Sequence, residues 1–421
     1  MPQQCHTSGR PGAIEILHIG YTRFPADTRV KRELEALRTT GRRLAVIALR
    51  NSGEAAVERW RGITIVRVPG SKSRGAVGAY LVEYGGFVWR CRRLVARHPA
   101  FANLRVVHVH TLPDFLLWAA LPAQRRGARL VFDMHEIFPE FARSKFSGLL
   151  GRAVASIAGA IERWARRRSD LTITVNEPIN ELLATRPIGR PERRIVLHNT
   201  ADPADFGHAT SPSGDTAVPL EFIYHGTLTF LYGLDVAIRA IALSRERGVH
   251  ARLTILGDGP ERDALRRLAE HLSLTAHVSF EAPIPQRALP ARLQRCAAGI
   301  VPTRLDGMTR YSLSTKLLEY VHLGMPVLAA SLPSYRRYLG EDALWYWTPG
   351  DPQDLARVIA EFAIAAPADR LRRARLAQEA MGQIAWIREQ GKLLAAYDEL
   401  LAPRRPSAST AAIRSAALPS P

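Results

Sequence analysis

The stretch Ser312-Leu-Ser-Thr-Lys-Leu-Leu-Glu-Tyr-Val-His-Leu-Gly-Met-Pro326 is typical of a short helix that leads into a buried strand. Ser312 or Ser314 can cap its start, because a hydroxyl accepts hydrogen bonds from the free N–H groups of a first turn. Gly324 suits the left-handed residue just past a helix end, and Pro326 prevents continuation. We therefore predict a helix that ends before Gly324, followed by a strand over residues 327–330.

Two charged residues on this helix predict an anion site. Lys316 lies in the first turn and Glu319 three residues later, so both lie on roughly one face. A cation in the first turn opposes the helix dipole. It is favoured there if free backbone N–H groups and the ammonium hold an anion together. Glu319 is then placed to accept hydrogen bonds from hydroxyls of the same ligand. The alternative is a surface helix with a solvated lysine and glutamate.

Length and charge limit the class of protein. At 421 residues, 47% of them hydrophobic, the chain is too long for one ordinary core and predicts two domains. The formal charge is +19, which favours nucleic acid as a partner. Only five of the 58 basic residues are lysines, and they are spread along the chain. No basic–aromatic recognition module is present, so we expect no nucleic-acid partner, and an anionic membrane surface fits the charge as well.

The cysteines and the termini indicate the compartment. Cys5, Cys91 and Cys296 lie far apart in no metal-ligand spacing, which favours a reducing compartment without disulfides. Residues 1–12 are polar and lack the apolar segment of a signal peptide, and no apolar run is long enough to span a membrane. We expect a cytoplasmic protein with a flexible arm at 1–12 and a disordered Ser/Ala/Pro-rich tail at 402–421.

Short apolar strands alternate with helical stretches along the chain, which predicts an α/β protein whose parallel sheets are covered on both faces. A segment rich in Asp, Pro, Ser and Gly at 200–220 is a predicted linker between two such series. Ligands then belong at the carboxyl ends of the strands. The predicted strands lie at 13–20, 44–49, 63–68, 106–110, 129–133, 171–175, 194–198, 221–225, 252–256, 277–280, 299–301 and 327–329.

Polar residues follow two neighbouring strands of the first series. His108 and His110 end one strand, and Asp133-Met-His-Glu136 ends the next. The pair His135 and Glu136 has metal-binding or catalytic potential, but no third ligand has suitable spacing. We therefore predict no metal, and polar contacts to sugar hydroxyls instead.

Glycine-rich loops follow two strands of the second series. The segments 226–233 and 257–260 each come after a strand and open a helix, which is a geometry that cradles phosphates. Neither has the lysine of an ATPase P-loop, and such glycines are also common in plain turns. The loop 302–307 brings Arg304, and soon afterwards Arg310, towards the strand ends near Lys316.

Two helical stretches of the first half combine apolar bodies with arginines. They cover residues 79–97, with Tyr80, Phe87 and Trp89, and residues 141–168, with Ile157 and Trp164. This pattern suits helices lying on an anionic lipid surface. The alternative is a pair of core-facing helices whose solvated sides are rich in arginine.

Taken in order, these motifs resemble family 4 of the retaining glycosyltransferases (glycosyl transferases group 1), which have the GT-B fold, over about residues 14–401. No single motif is specific, but their order and spacing together are. The stretches that carry the resemblance are Asp27-Thr-Arg-Val-Lys-Arg-Glu33, Val107-His-Val-His-Thr-Leu-Pro-Asp114, Phe132-Asp-Met-His-Glu136, Ile195-Val-Leu-His-Asn199, Leu256-Gly-Asp-Gly-Pro-Glu261, Thr315-Lys-Leu-Leu-Glu-Tyr320 and Gly324-Met-Pro-Val327.

The resemblance implies two Rossmann-like domains that face each other across a cleft. Residues 13–200 form an acceptor domain, completed by a crossover helix at 385–401, and residues 201–384 form a nucleotide-sugar donor domain. It implies a retaining transfer, in cell-envelope or exopolysaccharide synthesis, to a saccharide or lipid-linked acceptor. Basic aromatic helices would hold the protein at the inner face of the membrane. It implies no cofactor.

The resemblance also implies roles for particular residues. His135 and Glu319 are catalytic, with His135 facing the transferred sugar and Glu319 binding donor hydroxyls, and Lys316 contacts the diphosphate. The other implied donor contacts are Gly226, Thr227, Gly257, Arg304, Arg310, Ser312, Leu313 and Thr315. The implied acceptor contacts are Asp27, Arg29, His110, Asp114 and Glu136.

The chain departs from the family at three donor positions. The family has two glutamates separated by seven residues, and the first position here is Tyr311. Its glycine loop carries an arginine and a lysine, whose positions here are Thr227 and Tyr232. We expect Arg304, Arg310 and Lys316 to replace the missing charge. The alternatives are an epimerase or phosphorylase of the same fold and a catalytically weakened homologue.

Overall fold

The computed structural model describes residues 13–70, 77–145, 148–207, 210 and 219–403. The predicted arm at 1–12 lies outside the described residues. Most of the predicted tail and much of the predicted linker lie outside them as well.

The described residues form two sheets in sequence. The first has strand order β3-β4-β2-β1-β5-β6-β7-β8 and the second β11-β10-β9-β12-β13-β14. All pairings are parallel except β3 with β4. The strands are β1 (Ile16–Gly20), β2 (Leu44–Arg50), β3 (Val57–Trp60), β4 (Ile63–Pro69), β5 (Val106–His110), β6 (Arg129–Met134), β7 (Leu171–Thr174), β8 (Arg194–Val196), β9 (Leu220–His225), β10 (Ala251–Leu256), β11 (Val278–Glu281), β12 (Ala298–Val301), β13 (Val327–Ala330) and β14 (Trp345–Trp347).

Helices cover both faces of each sheet, so most strand residues are buried. Two α/β domains follow, and this prediction is confirmed. The helices are α1 (Thr28–Arg38), α2 (Val77–Arg97), α3 (Leu121–Arg125), α4 (Phe138–Lys145), α5 (Gly148–Arg168), α6 (Glu177–Ala184), α7 (Pro203–Phe206), α8 (Leu234–Glu246), α9 (Arg262–His271), α10 (Leu289–Leu293), α11 (Thr315–His322), α12 (Pro333–Leu339), α13 (Pro352–Ile364), α14 (Pro367–Gly382) and α15 (Trp386–Leu401), with 3-10 turns at Pro99–Phe101, Asp114–Ala120, Phe230–Tyr232, Gln286–Ala288 and Thr309–Tyr311.

Several predicted elements are wrong. The sequence between β5 and β6 predicts one helix from about Pro113 to Arg126. These residues instead form a 3-10 helix and then α3, because Pro122 suits a first helical turn but not an interior. The predicted helix at 141–168 is two helices, and Gly148 starts the second with φ +69°. The edge strand β3 was missed because its residues are half-buried or exposed and give little apolar signal. The prediction also lacked α6, α12 and β14.

The C-terminal end of α11 follows the prediction and its N-terminal end does not. The N–H groups of Gly324 and Met325 donate to the carbonyls of Val321 and Tyr320, and Gly324 has φ +68°, which is a Schellman end. At the start, Ser314 occupies the capping position but its side chain accepts no capping hydrogen bond. The hydroxyl of Ser312 instead donates to the carbonyl of Met308. In the described part of the chain, the first N–H groups of α11 therefore have no side-chain cap.

The last helix, α15, returns to the first sheet. Leu393, Ala396 and Leu400 pack in the same apolar cluster as residues of β1, β2 and α1. The hydroxyl of Tyr397 lies 2.7 Å from Nδ1 of His108 on β5. The two halves also meet directly, because the side-chain amide of Asn176 donates to the carbonyl of Tyr311 at 2.8 Å.

Candidate active site

A cavity of about 190 Å³ lies between the two sheets, at the carboxyl ends of their strands. Its walls come from both halves of the chain, which is where an open α/β sheet binds its ligand. The lining residues are His135, Glu136, Ile137, Val175, Asn176, Ile179, Asn199, Leu231, Tyr232, Thr303, Met308, Thr309, Ser312, Leu313, Ser314, Thr315, Lys316 and Tyr335.

Lys316 is the buried cation of this cavity. Its side chain is only 8% exposed, and its ammonium lies 4.0 Å from the ring centre of Tyr232 and 5.3 Å from that of Tyr224. Within the described part of the chain it forms no ion pair. Burial lowers the pKa of Lys316 to about 8, although Glu319 opposes this shift. An anion bound in the cavity would supply the counter-charge that the ammonium lacks.

Two glycines make room for the lysine. A Cβ on Gly226, which has φ +123°, would lie 2.5 Å from Cε of Lys316. A Cβ on Gly257 would lie 1.9 Å from the carbonyl oxygen of Gly226. The two loops therefore pack on each other, and the lysine stem crosses them. Neither glycine lines the cavity itself, so their described role is to position Lys316.

His135 is held from beneath by Asp133. Nε2 of His135 lies 3.0 Å from Oδ2 of Asp133, and Arg29 donates to both oxygens of that carboxylate at 2.9 and 2.7 Å. Burial lowers the pKa of His135, but the charge and hydrogen bond of Asp133, together with the charge of Asp27, raise that pKa above its ordinary value. Because Nε2–H donates to Asp133, Nδ1 is the nitrogen left to face a ligand.

A buried chain of hydrogen bonds leads from α15 to this carboxylate. Nδ1 of His110 lies 3.0 Å from Asp133, Nε2 of His110 lies 2.9 Å from Nδ1 of His18, and Nε2 of His18 lies 3.2 Å from the hydroxyl of Tyr397. Burial lowers the pKa of His18, and that of His110 to about 3, so both rings are neutral. Each ring therefore donates towards Asp133, which fixes its tautomer.

The side chains of His110, Asp133 and His135 offer three potential metal-ligand atoms within 4.8 Å of one another. The spacing of residues along the chain did not reveal this group, because Asp133 lies within β6 and His110 belongs to the neighbouring strand β5. The guanidinium of Arg29 pairs with the carboxylate of Asp133, and both histidines hydrogen-bond to the same carboxylate.

Three charged residues that were predicted to contact the donor do not line the cavity. The guanidinium of Arg304 pairs with Asp235 at 2.6 Å and stacks on Phe230. Arg310 is exposed. Nε2 of His225 lies 3.1 Å from a carboxylate oxygen of Glu319, which does not line the cavity. Neither guanidinium lines the cavity in this arrangement, and the expectation that Arg304 and Arg310 replace the missing charge there stays a prediction.

The predicted acceptor residues divide into two groups. Glu136 lines the cavity, where desolvation by the cleft walls raises its pKa although the side chain is open to solvent. The carboxylate of Asp27 caps α1 and lies near His135. Arg29, His110 and Asp114 are each at most 3% exposed. The first two support Asp133, and burial raises the pKa of Asp114 well above its usual value. These three side chains are buried in the structure, and their contact with an acceptor stays a prediction.

The three positions that depart from the family pattern have distinct surroundings. Tyr232 lines the cavity and its ring contacts the ammonium of Lys316. Tyr311 packs against the apolar core of the first domain. Thr227 is exposed, and its carbonyl accepts from Tyr224.

Sequence reasoning missed several lining residues. Asn176 follows the end of β7 and Thr303 follows β12, so the rule that ligands bind at strand ends would have found both. Tyr335 lies on α12, which was not predicted, and carried no such signal.

Two facing Rossmann-like domains with a cavity between their strand ends define the GT-B class. The first domain matches the family "Glycosyl transferase 4-like domain" over residues 26–200. The second matches "Glycosyl transferases group 1" over residues 216–380. The chain therefore belongs to the glycosyltransferases of the GT-B fold, as the resemblance implied.

Curated relatives match parts of the chain. A putative colanic acid biosynthesis glycosyltransferase, WcaL from Escherichia coli, is 31% identical over 47% of this chain and 48% of its own length. The match thus spans about half of that relative. A 2-deoxystreptamine glucosyltransferase from Streptomyces kanamyceticus is 26% identical over 79% of this chain and 87% of its own.

Solved structures share the fold at low identity. Sucrose-phosphate synthase from Thermosynechococcus elongatus superposes with a TM-score of 0.73 at 14% identity, covering 92% of this chain and 99% of that one. HepE from Anabaena, in complex with UDP and glucose, gives 0.66 at 16% identity, covering 91% and 99%.

Proposed function

We propose that this protein transfers a sugar, with retention, from a nucleotide-sugar donor to a saccharide or lipid-linked acceptor in cell-envelope or exopolysaccharide synthesis. One observation carries the donor part of the proposal. The buried ammonium of Lys316 has no anionic partner in the described residues, and it faces a cavity beside the uncovered N–H groups at the start of α11. Cations and helix N-termini bind diphosphates in this way.

The chemistry follows from the placement of these groups. The bond between the anomeric carbon and the diphosphate breaks, the acceptor oxygen bonds to that carbon, and the acceptor proton leaves with the phosphate. Negative charge grows on the departing diphosphate, so the Lys316 ammonium and the N–H groups of α11 stabilise the transition state. His135 on the opposite wall donates from Nδ1 when its ring is protonated, a form that its raised pKa favours. These fixed cations need no metal to assist them, and we propose metal-independent transfer.

The cavity must widen to take its substrates. Pockets for small molecules measure about 300–1,000 Å³, whereas this one measures about 190 Å³. Its walls belong to different domains, so a rotation of the domains would enlarge it and would close it again over the donor. Closure excludes water, which protects the transfer from hydrolysis.

Relatives support the acceptor class. WcaL is described as a putative colanic acid biosynthesis glycosyltransferase, and a 2-deoxystreptamine glucosyltransferase also matches. A cell-surface polysaccharide acceptor fits the first of these. The arginine-rich helices α2 and α5 support a peripheral position on the cytoplasmic membrane face, where such acceptors are carried on lipids.

A thermal-shift panel of UDP-, GDP-, ADP- and dTDP-sugars tests the donor site, because a ligand that binds the folded state raises the unfolding temperature. We expect one nucleotide class to stabilise the parent and to lose that effect in Lys316→Ala. No stabilisation by any of them would contradict the proposal. Proton NMR of the product with the stabilising donor then reports the anomeric configuration.

The runner-up is an epimerase or phosphorylase that uses the same cavity. Such an enzyme would convert the nucleotide sugar without a second saccharide, whereas a transferase releases nucleotide only when the acceptor is present. A catalytically weakened homologue would bind the nucleotide and release none under either condition.

A further inference from the structure

An apolar groove crosses the outer surface of the first domain, away from the cavity. Gly85 and Val88 of α2 form one wall, the ring of Trp118 another, and a stripe on α5 the third. The stripe recurs every three or four residues, so it lies along one face of the helix. We name this feature the α2–α5 groove; its lining is Gly85, Val88, Phe115, Trp118, Ile157, Ala160, Ile161 and Trp164.

The groove is large and open to solvent. Its volume is about 610 Å³, which is in the range of ligand sites. Ile157 is 62% exposed at its rim. Monomeric proteins rarely leave a contiguous apolar surface of this kind uncovered unless something binds there.

A basic shelf continues the groove at one end. Trp118 lines both features, and beyond it lie Arg92, Arg93 and Arg97 with Trp89. The Arg92 guanidinium stacks on Trp118 at 4.0 Å and donates to its carbonyl. Arg93 and Arg97 are exposed and form no ion pair with a carboxylate among the described residues. We name these three arginines the arginine shelf.

The pairing of groove and shelf matches the chemistry of one ligand. No acidic residue lines either feature in the described residues. An apolar channel next to guanidinium groups complements a molecule with a hydrocarbon chain and a phosphate. Tryptophans at the junction are typical of the boundary between headgroups and acyl chains. None of the helices in the described residues is long and apolar enough to cross a bilayer.

We propose that the α2–α5 groove holds one acyl chain of an anionic phospholipid whose phosphate lies on the arginine shelf. The proposal deepens the membrane association suggested above and rests on that part alone, because it involves neither Lys316 nor the cavity. It assigns the lipid contact to a defined site rather than to the general positive charge of the chain.

Flotation of the full chain with vesicles tests the site. We expect binding to vesicles of phosphatidylcholine with 30% phosphatidylglycerol, at least tenfold tighter than to phosphatidylcholine alone, and weaker in high salt. Equal binding to both vesicles, or to neither, would overturn the proposal.

Two matched pairs of variants separate the site from net charge. Arg93→Glu with Arg97→Glu should lower the vesicle partition coefficient at least tenfold, since each basic residue near an anionic surface adds about fivefold. Arg267→Glu with Arg375→Glu makes the same change of charge on the second domain, where both side chains are exposed, and should lower it much less. Equal losses in the two double variants would show general charge attraction and refute the shelf.

The groove itself is tested by filling it. A Cβ on Gly85 meets no atom within 4 Å, so Gly85→Leu fits without a clash and occupies the channel. We expect it to weaken binding about tenfold, whereas Gly391→Leu, which also adds a side chain in open space on a helix, should not. Unchanged or tighter binding by Gly85→Leu would mean that no chain enters the groove. Nucleotide thermal shifts of each variant verify the fold and remain a separate test of the proposed transfer.

Discussion

Replacing Lys316 by methionine should raise the free energy of unfolding of the ligand-free protein and lower its affinity for the nucleotide. Methionine keeps the unbranched stem that crosses Gly226 but removes the charge. Burial lowers the pKa of Lys316 from 10.5 to about 8, and each pKa unit is worth about 1.4 kcal/mol. At pH 7 the folded protein therefore holds an ammonium that destabilises it by about 3 kcal/mol.

The sign of the pH dependence is fixed by this shift. Both folded and unfolded chains carry the charged lysine below pH 8, so the destabilisation is fully present there. It declines as the pH rises from about 8 towards 10.5, because the unfolded chain then binds more protons than the folded one. Lys316→Met should therefore exceed the parent in free energy of unfolding by about 3 kcal/mol at pH 7, and by progressively less above pH 8.

Binding should change in the opposite direction. Loss of a buried cation that contacts a diphosphate costs about 2 kcal/mol or more, so the dissociation constant of the stabilising nucleotide should rise at least about 30-fold. Thermal unfolding at pH 7 and pH 9.5 and titration calorimetry measure the two effects. The control is Lys392→Met, whose side chain is 45% exposed, and which should change neither by a comparable amount.

The reasoning fails if Lys316→Met unfolds at or below the temperature of the parent. That result would mean that the ammonium has a partner which compensates its burial. Unchanged nucleotide affinity would separately contradict the role of Lys316 at the diphosphate.

Three further perturbations follow from the site. Asp133→Asn removes the charge that raises the pKa of His135, so the alkaline limb of the rate profile should move to lower pH. Gly257→Ala places a methyl group against the Gly226 carbonyl and should destabilise the donor loops, costing about 1–3 kcal/mol of unfolding free energy in a denaturant titration. Tyr338→Phe removes a hydroxyl that accepts a hydrogen bond from the backbone N–H of Glu177, in the first domain, at 2.8 Å. The loss of this contact between the domains should alter their closure and raise the KM of the donor.

Each of these predictions has a result that would contradict it. A pH profile unchanged in Asp133→Asn would mean that the histidine does not titrate in the reaction. For Gly257→Ala, alanine at Gly382, where a Cβ meets no atom, should be tolerated, and equal tolerance at both would refute the crowding. For Tyr338→Phe, a lower kcat with KM unchanged would point away from closure.

Local patterns predicted the parts of the site that depend on a single segment. The helix α11 with Lys316 was found because the signal of a C-terminal glycine and an odd first-turn cation lies within fifteen residues. The lining by His135 and Glu136 followed from their position at a strand end. The GT-B fold was identified from the order of these local motifs along the chain.

The parts of the site that the sequence did not predict depend on contacts between residues that lie far apart in the chain. Arg304 had a plausible phosphate to bind, but Asp235, on a helix 69 residues earlier in the chain, takes its guanidinium. Arg29 was expected at the acceptor, yet the cost of burying Asp133 without a counter-charge draws it beneath His135. The predicted cap by Ser312 does not form, because its hydroxyl donates to the carbonyl of Met308 in the turn that precedes the helix. None of these outcomes follows from the spacing of one segment.

The return of α15 to the first sheet has a consequence for how the molecule forms. The hydroxyl of Tyr397 completes the chain of buried histidines, and Leu393 and Leu400 complete the apolar layer over β1 and β2. During synthesis, the core of the first domain therefore cannot close until almost the whole second domain has been made. A fragment cut at the linker would expose that layer and leave Nε2 of His18 without the hydroxyl of Tyr397, so the two halves are separate in architecture but inseparable in folding.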